Sequence, residues 1–167
     1  MISHLVCVLS LVVFFILQTT ILSQARLVSG TADMILLFLA AWSLQEHVKN
    51  SWLWTVISGI LISLVSAMPF FAPLIGYVGV VSISKGLQRR VWRTPLLLML
   101  IVVLLGTFFQ QSIYVLALQI SGAPISWLES FDRVILPSAL LNLIFALPIY
   151  AIAKDLAGRI SPQEVEA

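Results

Sequence analysis

The sequence predicts an all-α membrane protein: a single integral domain, residues 1–167, built as a compact bundle of six transmembrane helices. Of its residues, 60% are hydrophobic and only 10% are charged, whereas a soluble domain carries about 25% charged residues. So little polar surface could not cover a globule in water. The apolar stretches are continuous and do not alternate with period two. Helices are therefore favoured over a β-barrel, the other fold that satisfies its backbone groups within hydrocarbon.

A cluster of positive charge predicts the orientation. Four of the nine basic residues fall between two long apolar runs, with no acid among them: Lys85, Arg89, Arg90 and Arg93. Such a segment is typical of the cytoplasmic side of a membrane. Six crossings then place both termini in the cytoplasm, with seven basic residues on cytoplasmic segments and two on outer ones. This asymmetry is the one that the positive-inside rule expects, and the five tryptophans all fall near predicted helix ends.

The first predicted helix covers residues 4–23, long enough to cross a hydrocarbon core of about 30 Å. It lacks a basic n-region and a small-x-small cleavage site, so we interpret it as a retained helix and not as a signal peptide. The second covers residues 32–44 and the third residues 52–67, both shorter than the usual span of about 20 residues. Either their polar flanks enter the membrane, or they are tilted members of a compact bundle.

A turn at residues 68–73 separates the third helix from the fourth, because proline removes a helical donor and restricts the residue before it. The fourth predicted helix covers residues 74–85. Thr94 is a predicted N-cap with Pro95 at the first helical position, so the fifth helix is expected to begin there. It continues over residues 95–120, which is longer than a perpendicular span needs and implies tilt.

The remaining segments are a short interfacial piece and a last helix. Residues 121–124 end the fifth helix, and residues 125–133 are predicted to lie at the interface, anchored by Trp127. The last helix is predicted over residues 134–154. A small polar tail follows it.

Small residues at helical spacing predict contact faces, since helices in lipid associate through close packing. The third helix has one such row and the fourth has another: Gly59, Ser63 and Ala67, then Gly79, Ser82 and Gly86. A short turn joins these two helices, so we expect them to be antiparallel neighbours packed along these rows. The alternative is that a row receives a partner protein.

The last predicted helix carries two rows of packing candidates: Pro137 and Pro148 on one face, and Ser138, Asn142 and Ala146 on another. Asn142 falls near the middle of the span, where an amide needs a hydrogen-bond partner, in a bond worth about 0.6–2 kcal/mol. We expect that partner on another helix of the same chain. Gln110 and Gln111, near the centre of the fifth helix, are the candidates.

Asp33 is the one carboxylate close to the beginning of a predicted helix, at the membrane boundary. An acid within a membrane segment is a functional hypothesis by default. In the first turn of a helix, however, a carboxylate also complements the helix dipole. Two roles are therefore open for Asp33: a cap of the second helix, or a functional contact.

The residues that carry chemistry are scattered. His4 and His47 have no carboxylate or cysteine three or four positions away, and Cys7 is the only cysteine. No phosphate-binding loop and no Ser/His/Asp set can be assembled. We therefore expect no enzymatic activity, no cofactor and no metal site. No basic face interleaved with aromatic residues suggests nucleic acid.

Several short motifs, in order, resemble the MreD family of rod shape-determining membrane proteins. The family has a glycine and an acid before its second helix, a small-residue third helix, a basic central loop and an Asn- and Pro-containing last helix. The matching stretches here are Gly30-Thr-Ala-Asp33, residues 59–66, Pro69-Phe70, Gly76-Tyr77, Arg93-Thr-Pro95, Leu136-Pro137, Asn142 and Pro148-Ile-Tyr150. Ala32 replaces a proline of the family pattern, and Ser63 stands where the family often has an acid.

The resemblance implies a non-enzymatic subunit of the cell-elongation machinery in the bacterial inner membrane. Its partner would be MreC, a bitopic protein, and through it the chain would help to position the glycosyltransferase RodA and its penicillin-binding transpeptidase, with MreB filaments connected indirectly. The family's fold is similar to the S subunits of energy-coupling-factor transporters. The hypothesis is that the chain holds the transmembrane helix of MreC against a groove that faces lipid.

Two other classes share the predicted topology. An S subunit of an energy-coupling-factor transporter would bind a vitamin in a pocket open to the outside. Such subunits tend to dock through an Ala-x-x-x-Ala row in their first helix, and residues 5–22 here contain no alanine. The third class is an unrelated membrane scaffold.

Overall fold

The computed structural model describes residues 2–22, 26–27, 29–45, 50–89 and 94–160. Within these ranges the fold is helical apart from one short ribbon, so the all-α prediction is confirmed. In chain order the elements are α1 (Ile2–Leu17), a first π-helical turn (Gln18–Leu22), β1 (Arg26–Leu27), β2 (Gly30–Thr31), α2 (Met34–Ser43), α3 (Ser51–Val65), α4 (Phe71–Gln88), α5 (Pro95–Ile120), α6 (Trp127–Ser130), a second π-helical turn (Phe131–Ile135) and α7 (Leu136–Ile160).

Two of the described helices are long and apolar enough to cross a membrane. One is α5, with the predicted bounds, and the other runs without interruption from Trp127 to Arg159. The prediction of a separate interfacial piece over residues 125–133 is therefore wrong in part, because residues from 127 onward form the beginning of this second helix. No glycine or proline interrupts residues 127–136, so the helix has no reason to stop there. Trp127 Nε1 donates to Gln119 Oε1 at 3.0 Å and ties it to the end of α5.

Helix α2 lies at the centre of the bundle, and all ten of its residues are buried. It contacts α1, α3, α4, α5 and α7. A helix that is apolar on every side is one that other elements surround, which explains why the second predicted helix shows no polar face. At about 1.5 Å per residue it is roughly 15 Å long, half the thickness of a hydrocarbon core.

The antiparallel ribbon of β1 and β2 leads into α2 and lies against the beginning of α7. Thr31 N–H donates to Ser138 Oγ at 3.1 Å. A Cβ atom at Gly30 would lie 2.6 Å from the backbone nitrogen of Ser138 and 2.7 Å from Cβ of Pro137. Only glycine fits this approach. Two-residue strands leave no periodicity to read, so the sequence predicted no ribbon here.

Helices α3 and α4 pack against each other across a short turn, as predicted. At Gly59 a Cβ atom would lie 3.0 Å from Cα of Leu74, and Ser63 Oγ lies 2.7 Å from Gly59 O and 2.6 Å from Phe70 O. These two residues hold the close approach and the turn. Ala67 does not belong to the row, because α3 ends at Val65 and Ala67 is exposed.

The row predicted for α4 does not face α3, and that prediction is wrong. Gly79 makes room for the Phe109 ring of α5, which a Cβ atom would overlap. Ser82 is exposed, and nothing lies within 4 Å of a Cβ atom built at Gly86. Helix α4 packs between α3 and α5. Small residues therefore indicate a close contact, but their spacing does not say which neighbouring helix makes it.

The basic segment begins earlier than expected, inside a helix. Lys85 lies in the last turn of α4 and Arg89 is its C-cap residue, where positive charge complements the helix dipole. Arg90 and Arg93 lie outside the described residues. The predicted end of the fourth helix at residue 85 is therefore too early. Its predicted start at residue 74 is too late, because Pro73 fits within the first turn, where a helix needs no N–H from it.

Other helix ends and faces differ in detail from the sequence predictions. Thr94 is the N-cap residue of α5 and Pro95 its first residue, but the Thr94 side chain makes no capping hydrogen bond. Helix α7 extends past the predicted end at residue 154. Pro137 and Pro148, predicted on one face, have different surroundings: the first is buried under the ribbon and the second is exposed.

Candidate functional site

The site is built around Asp33, at the beginning of α2. Asp33 is the N-cap residue, and its Oδ1 accepts the Leu36 N–H at 2.9 Å. A carboxylate here satisfies one of the unpaired N–H groups of the first turn and complements the positive end of the helix dipole. The capping interpretation of Asp33 is confirmed.

Two further helices reach the same carboxylate. From α4, the Tyr77 hydroxyl donates to Asp33, at 3.0 Å from Oδ2 and 3.2 Å from Oδ1. From α5, Gln110 Nε2 donates to Oδ2 at 2.8 Å, and it also donates to the hydroxyl of Tyr114 at 2.8 Å. Tyr77 and Gln110 are fully buried. Asp33 therefore caps one helix and connects it to two others.

Helix α7 binds the backbone of the same residue. Asn142 Oδ1 accepts the Asp33 N–H at 2.8 Å, and Asn142 Nδ2 donates to Thr107 Oγ1 of α5 at 2.9 Å. The prediction that Asn142 bonds another helix of this chain is confirmed. The predicted partner, Gln110, is wrong, because its amide is bonded to Asp33. Thr107, one turn earlier on α5, lies level with Asn142 instead.

A side chain from the end of α1 completes the group. Gln18 Oε1 accepts the Ile35 N–H at 3.1 Å, so a second free donor of the first turn of α2 has a partner. We refer to these side chains as the polar centre; they come from five helical segments: Gln18, Asp33, Tyr77, Thr107, Gln110, Tyr114 and Asn142. Of these, Thr107 and Tyr114 carried no signal in the sequence that set them apart from other hydroxyl residues in apolar runs, and Tyr77 was singled out only through the resemblance.

The polar centre lies inside the bundle and not at its end. Asp33 is level with Gln110, which is ten residues, or about 15 Å, from the last residue of α5. The sequence placed Asp33 at a membrane boundary on the assumption that the second helix crosses alone. In the structure the ribbon precedes α2 and packs on α7, so α2 begins within the bundle. The position of Asp33 at a membrane boundary stays a prediction.

A cavity of about 270 Å³ lies beside the polar centre, next to the end of α1, the end of α3 and the turn that follows it. We call it the polar cavity. Its polar lining is Gln18, Thr19, Thr31, Asp33, Ser66, Tyr77, Gln111 and Tyr114, and its apolar lining is Ala32, Ile62, Val65 and Met68. Asp33 is the acidic residue among them.

The remaining predicted site residues have structural positions. Ser138 is buried and bonded to the ribbon, Ala146 is buried in the same row, and Tyr150 is buried one turn further along α7. In the part of the chain that the structure describes, no three His, Cys, Asp or Glu side chains come together as metal ligands. The arrangement contains one half-buried carboxylate, held by neutral donors beside a cavity.

No family model, curated protein or solved structure matches this chain. Its fold and site define an all-helical bundle with two helices long and apolar enough to cross a membrane, and with a polar centre around one aspartate.

Proposed function

We propose that this chain is a multi-pass protein of the bacterial inner membrane and a non-enzymatic scaffold of the cell-elongation complex, as the MreD family is. The observation that carries the proposal is the convergence of residues on which the resemblance rests. Asp33 and Tyr77 are 44 positions apart, and Asp33 and Asn142 are 109 apart, yet both pairs are hydrogen-bonded. Shared membrane composition alone gives no reason for such separated motifs to meet.

Glycines of the motifs lie in the same part of the bundle. Gly30 allows the ribbon to approach Pro137, and Gly76 lies against Gln110, where a Cβ atom would be 2.8 Å from its Cγ. The motifs that contain Gly30, Asp33, Gly76, Tyr77, Pro137 and Asn142 therefore describe one cluster and the backbone approaches that build it. This is the kind of constraint that a scaffold fold needs.

Six crossings remain our proposal for the topology, with both termini in the cytoplasm. Residues 2–22 are about 30 Å long as a helix, α3 is about 22 Å and α4 is about 27 Å. Tilt and local thinning accommodate such differences at modest cost. The ribbon would complete the crossing of α2, because extended backbone is tolerated at membrane depth where it is buried in protein.

A groove between α1 and α7 is the proposed seat of the MreC transmembrane helix. It has a volume of about 250 Å³, and its lining is almost wholly apolar. The lining residues, which we call the α1–α7 groove, are Leu9, Ser10, Val13, Phe14, Leu17, Ile152 and Leu156. Held there, MreC would position RodA and its transpeptidase outside, and MreB filaments would connect indirectly. The surrounding surface would contact lipid.

The test is co-purification of MreC with this chain from membranes. Leu9→Trp fills the groove, and Ile144→Trp is its matched control, since both residues are exposed, at 62% and 67%. Because an overpacked contact typically costs about 1–3 kcal/mol, we expect Leu9→Trp to reduce MreC recovery about tenfold or more and Ile144→Trp to leave it unchanged. Equal recovery with both variants would remove the groove from the proposal. A wild-type chain that recovers no MreC would contradict the function.

One observation favours a second function, that of an S subunit of an energy-coupling-factor vitamin transporter. The polar cavity lies within the bundle and offers hydrogen-bonding groups to a solute. Recovery of a vitamin with the purified chain, together with a coupling-factor partner in place of MreC, would select this function over the scaffold.

A further inference from the structure

We propose that the polar cavity binds a small organic cation through a primary ammonium group, with Asp33 as its counter-charge. This site goes beyond the scaffold function and does not depend on it. The proposal rests on the donors around the carboxylate, on the charges nearby and on the size and walls of the cavity.

The donors around Asp33 match an ionised carboxylate. Both of its oxygens accept hydrogen bonds, from the Leu36 N–H, the Tyr77 hydroxyl and the Gln110 amide. The Tyr77 hydroxyl lies within hydrogen-bond distance of both oxygens, so three donor groups make four contacts with the carboxylate. All three are neutral. They stabilise the negative charge without compensating it.

None of the basic residues whose side chains the structure describes forms an ion pair with Asp33; these residues are Lys85, Arg89, Arg133, Lys154 and Arg159. The ion pairs found among the described residues join Arg133 to Glu129 and Arg159 to Asp155, both on exposed helix surfaces. Asp33 is half-buried, and a carboxylate in such a position loses part of its hydration. A cation that enters the polar cavity would therefore gain a strong interaction with Asp33.

The walls of the cavity indicate the kind of cation. Tyr77 and Tyr114 are among the lining residues, and aromatic rings attract cations. Ile62, Val65 and Met68 form an apolar side that suits a short alkyl chain. At about 270 Å³, the cavity is slightly smaller than the usual range for ligand sites, which begins at about 300 Å³, so the ligand is small.

Gln111 adds a place for a further polar group. This residue is half-buried and lines the cavity, and its side chain makes no hydrogen bond within the described residues. A hydroxyl group two or three bonds from the ammonium would suit it. A metal ion fits less well, because Ca²⁺ and Mg²⁺ need several oxygen ligands, and only one carboxylate is present.

A primary ammonium with a nearby hydroxyl or ester oxygen has two sources in a cell. One is a free amino alcohol or similar amine, and the other is the headgroup of an ethanolamine phospholipid. Both present the same chemistry to Asp33, so the site is tested first with a free amine and then with lipid.

The test measures binding of ethanolamine to the purified full chain in nanodiscs of phosphatidylglycerol, which carries no ammonium group. Ethylene glycol, of similar size but neutral, is the ligand control. Asp33→Asn keeps a good N-cap residue, so the helix beginning is preserved, and Asp132→Asn, at an exposed site, is the matched control. We expect saturable ethanolamine binding that Asp33→Asn weakens about 10- to 100-fold, as loss of a charged hydrogen bond does.

The second arm repeats the titration in nanodiscs of phosphatidylethanolamine. A several-fold loss of apparent ethanolamine affinity would identify the lipid headgroup as the occupant, and unchanged affinity would identify a free amine. Two results would overturn the proposal. One is that ethylene glycol binds as tightly as ethanolamine, and the other is that the Asp33→Asn variant binds ethanolamine as tightly as the wild type. Recovery of MreC is measured separately, so failure here is distinct from failure of the scaffold function.

Discussion

The two ends of α2 are held in different ways. At its beginning, hydrogen bonds from four surrounding helical segments meet at Asp33 and Ile35. From its middle towards its other end, Phe38 packs against the rings of Phe14 and Trp42, with centroids 5.0 and 5.5 Å apart. The bonds at the beginning are directional, whereas the ring contacts at the end are largely not.

The two ends of α2 also differ in how far their polar groups are hydrogen-bonded. Each side chain of the polar centre makes at least one hydrogen bond, but Trp42 Nε1 is buried and has no partner among the described residues. A buried N–H without a partner costs about 1–3 kcal/mol. The end of α2 tolerates this cost because its rings are closely packed. We infer that packing supplies most of the stability of α2, and that the polar centre fixes its register and its neighbours.

The strongest test of this division removes the aromatic cluster. Phe38 is fully buried, so Phe38→Ala should lower the free energy of unfolding by about 3–5 kcal/mol. Phe70→Ala, at an exposed site, is the control and should change it by less than about 0.5 kcal/mol. Unfolding of the full chain in bilayer-like micelles measures both. If Phe38→Ala lowered the free energy of unfolding by less than a polar-centre variant does, packing would not supply most of the stability of α2.

A smaller loss of unfolding free energy is expected from a change where the ribbon meets α7. Gly30→Ala places a methyl group against backbone atoms of Ser138, and we expect a loss of about 1–3 kcal/mol because the backbone must shift. Gly86→Ala is the matched control: it lies in a helix with open space around it, so it should be neutral or stabilise the chain by up to about 1 kcal/mol. The same unfolding measurement compares the two. An equal loss from both variants would mean that the approach at Gly30 is not what constrains the ribbon.

The sequence predicted the helices better than it predicted their neighbours. Helix α5 has the predicted bounds because Pro95 and the run after Ile120 give clear start and stop signals. Asn142 needed a partner, and it has one. Its identity could not be predicted, because Thr107 and Gln110 are one turn apart and only the relative height of α5 and α7 decides between them.

The polar centre could be predicted only in part for the same reason. Asp33 was identified as a cap because a carboxylate at a helix beginning has a local explanation. Its bonds to Tyr77 and Gln110 depend on three helices meeting at one depth, which no local pattern records. Gly79 teaches the same lesson: its spacing indicated a close contact, and the structure places that contact on α5 and not on α3.

The smallest effect, and the most informative about the polar centre, concerns Asn142. Asn142→Leu leaves the Asp33 N–H without its acceptor, and Thr107→Val removes the other partner. We expect Asn142→Leu to lower the free energy of unfolding by about 1–2 kcal/mol, and Thr107→Val to lower it by less. The double variant measures their coupling, which for a direct hydrogen bond between membrane helices is about 0.6 kcal/mol. Coupling near zero would mean that Asn142 acts through Asp33 alone, and that α5 and α7 are held together by packing.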